Sequence, residues 1–210
     1  MGRTRGTRNA NYAERRANLA QAALQAFLGP GGQPASFRAI AQALGEDPRT
    51  LRHYFGNADG LYEATFETLE ARSRHFRDEV YARRHEGPTA ALTHFCQSLL
   101  TGWAYGMDHM FHVALAGGLE NDVRGPVVVK HLLEPTLETV EDLLTHFIET
   151  GELELADPRM GALSFLPPLL LGLLHQDSLR GRDIRPLDLE AFVADHVRRF
   201  VAGCAPREGG

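Results

Sequence analysis

With 210 residues, 43% of them hydrophobic, the chain can bury a core either as one compact domain or as a small domain beside a larger one. Its longest apolar run, SFLPPLLLGLL at 164–174, is interrupted by two prolines and falls short of the roughly 18 residues of a membrane span, so no membrane partner is expected. Charge is divided unevenly: residues 1–60 hold eight Arg against four acidic residues (+4), and the rest holds 14 basic and 23 acidic residues (−9). A cationic head on an acidic body suits a protein whose head alone meets an anion such as nucleic acid; chance clustering of surface charge is the alternative.

The opening MGRTRGTRNANYAERR is basic but lacks the apolar segment of a secretory signal, so a cytoplasmic protein is expected. Cys96 and Cys204 read as two reduced core thiols rather than a disulfide framework, with an intermolecular bond at Cys204 as the alternative.

Helical periodicity recurs along the chain, with no convincing strand and no internal repeat, which predicts an all-α fold. The first helix is expected over 11–28, with Leu19, Ala23 and Phe27 on one face and GPGG ending it. A short second helix follows over 36–44, with Ser36 as N-cap and Phe37, Ile40, Ala41 and Leu44 as its apolar face. Asp47 and Pro48 open a third, running to Phe55: an N-cap acceptor, then a proline where no hydrogen bond is lost. A long fourth helix over 58–84 joins two modules, and further helices are expected at 89–104, 107–119, 126–150, 158–180 and 187–203 as a bundle.

Helices two and three, joined through Gly45, form a candidate helix-turn-helix. Leu51 and Phe55, four apart, point inward and leave Arg49, Thr50, Arg52, His53 and Tyr54 around the other faces. Arg reads guanine edges and Thr meets bases or a thymine methyl, whereas Tyr54, His53 and Ser36 suit phosphates. Arg38 completes the expected DNA-binding set.

Residues 19–62, with AFLGPGG followed by SFRAIAQALGEDPRTLRHYFGNADGLY, resemble the TetR family of bacterial transcriptional regulators: a Ser/Thr cap, Ile-Ala, Gly, a capped recognition helix and a Leu-x-x-Tyr-Phe ending. The match covers about a fifth of the chain, with three departures: Glu46 replaces the apolar residue usual after the turn Gly, Arg52 the Tyr after the recognition-helix Leu, and Ala58 the Lys opening the next helix. The resemblance implies a DNA-binding domain over 1–57 and a ligand-binding and dimerisation domain over 58–210. It further implies a homodimer that binds a double-stranded operator and a small-molecule effector. GRTRGTR is either a minor-groove arm or a solvated tail.

The helix MGALSFLPPLLLGLL is apolar nearly all round and independently calls for cover beyond its own neighbours. With the last helix it forms the expected dimer surface, represented by Leu170, Leu174, Phe192, His196 and Phe200. Pro167 and Pro168 should kink it, either opening a ligand cavity or accommodating a bulky neighbour. The expected ligand lining is Trp103, Met107, Met110, Phe111, Phe165 and His175, each also compatible with ordinary core packing.

Asp108, His109 and His112 share a helical face, and a metal sensor or metal-dependent enzyme using His109 and His112 is the alternative function. No Cys/His cluster or His-Glu-x-x-His signature accompanies them, so no metal site is assigned; His131, beside Glu134 and Glu138, reads as a surface pair. With no nucleophile elbow, phosphate loop or dinucleotide motif, neither catalysis nor a cofactor is expected. The sequence therefore predicts a ligand-responsive, homodimeric DNA-binding regulator, most simply a repressor.

Overall fold

The computed structural model describes residues 5–27 and 36–206, with only the backbone described for 5–10 and Gln25. The GPGG segment and the first four residues of the basic arm lie outside these. All regular elements among the described residues are helical, and none is long and apolar enough to cross a membrane.

The chain divides into two compact units, residues up to Ser73 with Met110–Leu133, and Arg74–His109 with Glu134 onward. In the first unit α1 (Arg5–Ala26), α2 (Phe37–Ala43), α3 (Pro48–Phe55) and the start of α4 (Ala58–Ala82) enclose Leu19, Ala23, Phe27, Ile40, Leu51, Leu61 and Phe66. Each fully buried large side chain contributes about 1.5–3 kcal/mol through its removal from water. The caps read from the sequence are present. Ser36 Oγ accepts from the Ala39 N–H at 3.1 Å, and the Asp47 carboxylate accepts from the Arg49 N–H at 2.7 Å. Asn57 caps α4 by accepting from the Gly60 N–H at 2.9 Å. Gly45 sits at φ 65°, the left-handed region where a side chain would be strained, and so turns the chain from α2 into α3.

The end of α6 (Asp108–Leu119) and α7 (Arg124–Val128) complete this unit. Arg124 Nε donates to Asp59 at 2.7 Å, and its guanidinium lies 5.0 Å from the Tyr62 ring centre. The boundary read at 57/58 therefore does not coincide with the compact units: the first turns of α4 pack with the head, and residues 110–133 pack on those turns.

The second unit is a bundle of α5 (Pro88–Gly102), α8 (Glu134–Glu149), α9 (Pro158–Leu173) and α10 (Leu189–Gly203) around Phe95, Leu144, Phe147, Phe165, Leu169 and Val197. Asp157 and Asp188 cap α9 and α10 by accepting from the Arg159 and Ala191 N–H groups. Arg159 grips Glu134 with two hydrogen bonds of 2.7 Å and reaches Glu141 at 2.7 Å, tying α9 to α8. α9 continues unbroken through Pro167 and Pro168, whose missing N–H groups fall opposite the exposed Leu163 and Ser164, where water can satisfy the carbonyls.

The long helix expected over 158–180 instead ends at Leu173 and passes into a wider turn over 174–178, followed by a short turn at 181–183. The helix expected at 126–150 is likewise interrupted by a wider turn, at 129–133, whereas the break expected between 104 and 107 is present: backbone angles leave the helical range at Tyr105 and Gly106, the latter at φ 105°.

Candidate nucleic-acid interface

α3 is eight residues long, and its two environments follow from its spacing. Leu51 and Phe55 are buried, whereas Arg49, Arg52 and His53 are exposed and Thr50 is half-buried beside them. Three donor-bearing side chains thus face outward from a helix whose start is fixed by Asp47 and Pro48. Such a face can donate to phosphate oxygens and to guanine edges. Ser36 and Arg38, both exposed, stand at the start of α2. Ser36 already accepts from Ala39, leaving its hydroxyl proton for an anion.

Tyr54 is half-buried and packs on Tyr12 of α1, with ring centres 4.7 Å apart, while His53 meets Tyr12 edge-on at 5.8 Å. These contacts hold the end of α3 against α1. Tyr12 was not singled out in the sequence; its place on the exposed side of an apolar stripe gives no local signal of the partner.

Glu46, the least expected residue of the turn, forms an ion pair with Arg15 of α1. An acidic side chain replaces an apolar one here because α1 supplies a cation at that point. Arg16, on the next position of α1, lies 5.5 Å from the Phe55 ring centre and donates to Glu67 at 3.3 Å.

No protein-family model and no curated protein sequence matches this chain. Solved structures do match. A Mesorhizobium loti protein assigned to the TetR family of transcriptional regulators superposes with a TM-score of 0.70 at 18% identity, over 97% of this chain and 100% of that one. A TetR transcriptional regulator from Agrobacterium tumefaciens matches with a TM-score of 0.65 at 20% identity, over 91% and 94%. FadR from Bacillus subtilis, solved in complex with stearoyl-CoA, matches with 0.60 at 16% identity, over 88% and 97%. The chain has the TetR-regulator fold.

The remaining expected residues fall in different surroundings. Phe165 is fully buried in the second unit, stacked on His196 at 4.9 Å and edge-on to Phe200 at 4.9 Å. His196 Nε2 also lies 2.8 Å from the Phe165 carbonyl. Trp103 is buried and Met107 half-buried in that unit, whereas His175 is exposed, with its Nδ1 2.7 Å from Gln176 Nε2. Met110 and Phe111 are buried in the first unit.

None of these six lines the cleft of about 300 Å³ in the bundle formed by Thr93, Gln97, Leu100, Thr101, Glu190, Val193 and Ala194. Leu170, Leu174, Phe192, His196 and Phe200 are all half-buried on α9, the turn after it, and α10. Within α9 the exposed large apolar groups are others: Met160 at 62%, Leu163 at 41% and Leu171 at 66%. With Pro167 they form one stripe along α9.

His112 is exposed and His109 half-buried, and among the described residues neither joins a group of three metal-binding side chains. His131 is buried rather than a surface residue, and its Nδ1 lies 2.7 Å from Glu70 rather than beside Glu134 or Glu138.

Proposed function

We propose that this chain is a sequence-specific DNA-binding transcriptional regulator. It acts as a cytoplasmic homodimer on a near-palindromic operator, most simply as a repressor released by a small-molecule effector. The outward face of Arg49, Arg52 and His53 on a capped helix whose other side is buried carries this reading. Two copies of that face, one per protomer, would read two half-sites about one helical turn or slightly more apart.

The apolar stripe Met160, Leu163, Pro167 and Leu171 supports a dimer through α9, since scattered surface hydrophobics are ordinary but an aligned helical row calls for cover. The stearoyl-CoA bound by the FadR neighbour supports an effector site in the helical body. An effector that binds better to one spacing of the two heads would shift the population between them.

The test is selection from a randomised duplex library at moderate salt, followed by sequencing. A recovered inverted repeat is the expected result. Absence of any enriched sequence, with binding that vanishes as salt rises, would reduce the head to a nonspecific cationic patch.

A further inference from the structure

We infer that the chain carries a binding site for a divalent first-row transition metal ion, built by Glu63 and Glu67 of α4 and His131. One ligand atom from each of these three residues lies within 4.8 Å of the others. Glu63 and Glu67 are one turn apart on the same face of α4, so both carboxylates project toward the same point.

His131 is the independent observation. Its side chain is only 6% exposed, its Nδ1 is 2.7 Å from Glu70 Oε2, and its Nε2 is buried with no hydrogen-bond partner. A buried polar nitrogen left unmatched has lost its water without gaining a partner, so it calls for one. Glu70 fixes the tautomer: Nδ1–H donates to the carboxylate, and the lone pair is placed on Nε2. A carboxylate behind an imidazole whose far nitrogen is free is the arrangement that orients a metal-binding histidine.

One neutral imidazole and two carboxylates supply a charge of −2 and a mixed nitrogen and oxygen donor set, which suits zinc or manganese better than calcium. Ligand atoms around a tetrahedral zinc stand roughly 3.4 Å apart, so small side-chain rotations close the site, with water as a fourth ligand.

Arg16 donates to Glu67 at 3.3 Å and lies 5.5 Å from the Phe55 ring centre at the end of α3. A bound cation competes with Arg16 for Glu67 and thereby touches the support of α3. That consequence for DNA binding rests on the regulator reading; metal binding itself does not.

The experiment uses the full chain, stripped with chelator and titrated with ZnCl₂ in the absence of DNA. One zinc ion per chain is expected, with E63Q and E67Q each weakening the affinity at least tenfold and the double variant losing the site. H131Q should do the same; if it fails to fold, the two glutamate variants decide the matter, since both residues lie toward the surface. Failure of the wild type to bind zinc stoichiometrically would overturn the site, as would unchanged affinity in the E63Q/E67Q double variant. Repeating the titration with operator DNA present separates the two readings, because zinc binding without an operator leaves the site intact.

Discussion

The hydroxyl of Tyr62 donates to the main-chain carbonyl of Ala114 at 3.1 Å, and a Cβ placed on Gly117 would stand 2.9 Å from the Tyr62 ring. The ring is buried edge-on against Phe27 at 5.3 Å, and burial holds the phenol above its ordinary tyrosine range, with Arg124 pulling the other way. Gly117→Ala sets about 1 kcal/mol of gained helix propensity against about 1–3 kcal/mol of overpacking. The second wins because two ring carbons and the hydroxyl oxygen of a buried, rigid tyrosine oppose the new methyl. Denaturant unfolding should show a net loss, and a stabilised variant would mean that the ring is free to move aside.

Arg49→Ala should relax sequence preference at one position of each half-site, costing about 1–3 kcal/mol there and little elsewhere. Arg49 is exposed and its backbone, not its side chain, serves the Asp47 cap, so folding should be unaffected. Tyr54→Phe keeps the ring on Tyr12 and removes only the hydroxyl, so it should weaken binding evenly across sequences. Binding profiles of both variants on a half-site substitution series check the assignment. Identical profiles for the two would remove the distinction between reading and positioning.

Much of the fold was legible because helix signals are local. Asp47-Pro48 opened α3 where the sequence placed it, and Leu51 with Phe55 marked its inner face correctly. What failed depended on distant partners. Glu46 departs from the local pattern because its partner, Arg15, lies 31 residues earlier. Local spacing points His131 to Glu134 and Glu138, although its partner Glu70 lies 61 residues away. Periodicity identified α9 as apolar all round but could not tell which side its own bundle covers, so Met160, Leu163 and Leu171 were missed as the exposed stripe. The wider turns at 129–133 and 174–178 insert one extra residue into a ladder and leave no compositional mark.

The fork between Arg159 and Glu134 makes stability acid-sensitive. Arg159, by hydrogen bonding first and charge second, holds the Glu134 carboxyl below its usual value of 4.5. A lowered folded-state pKa means that the unfolded chain binds the extra proton. The contribution is therefore fully present above about pH 4.5 and is lost as pH falls through the folded value. Arg159→Met should remove that part of the acid dependence while costing little more than an exposed pair does near neutrality. Unfolding midpoints between pH 3 and 7 measure it, and parallel curves for variant and wild type would show that Glu134 draws nothing from the pair.

The two cysteines should separate by reactivity. Cys96 is 1% exposed within α5, and burial pushes its thiol up to about 12. At pH 8 only about one part in ten thousand would be thiolate, and that fraction is shielded as well. Cys204, at the end of α10, is partly exposed; burial raises its thiol too, but its sulfur is within reach of a reagent. Iodoacetamide at pH 8 should therefore label Cys204 first, with Cys96 labelled only under denaturant, as read by peptide mass spectrometry. The denaturant concentration that exposes Cys96 also reports the opening of the bundle, since Cys96 lies beside Leu169, Leu173 and Val193 from α9 and α10. Equal labelling of both thiols in native buffer would mean that α5 is not packed between those helices.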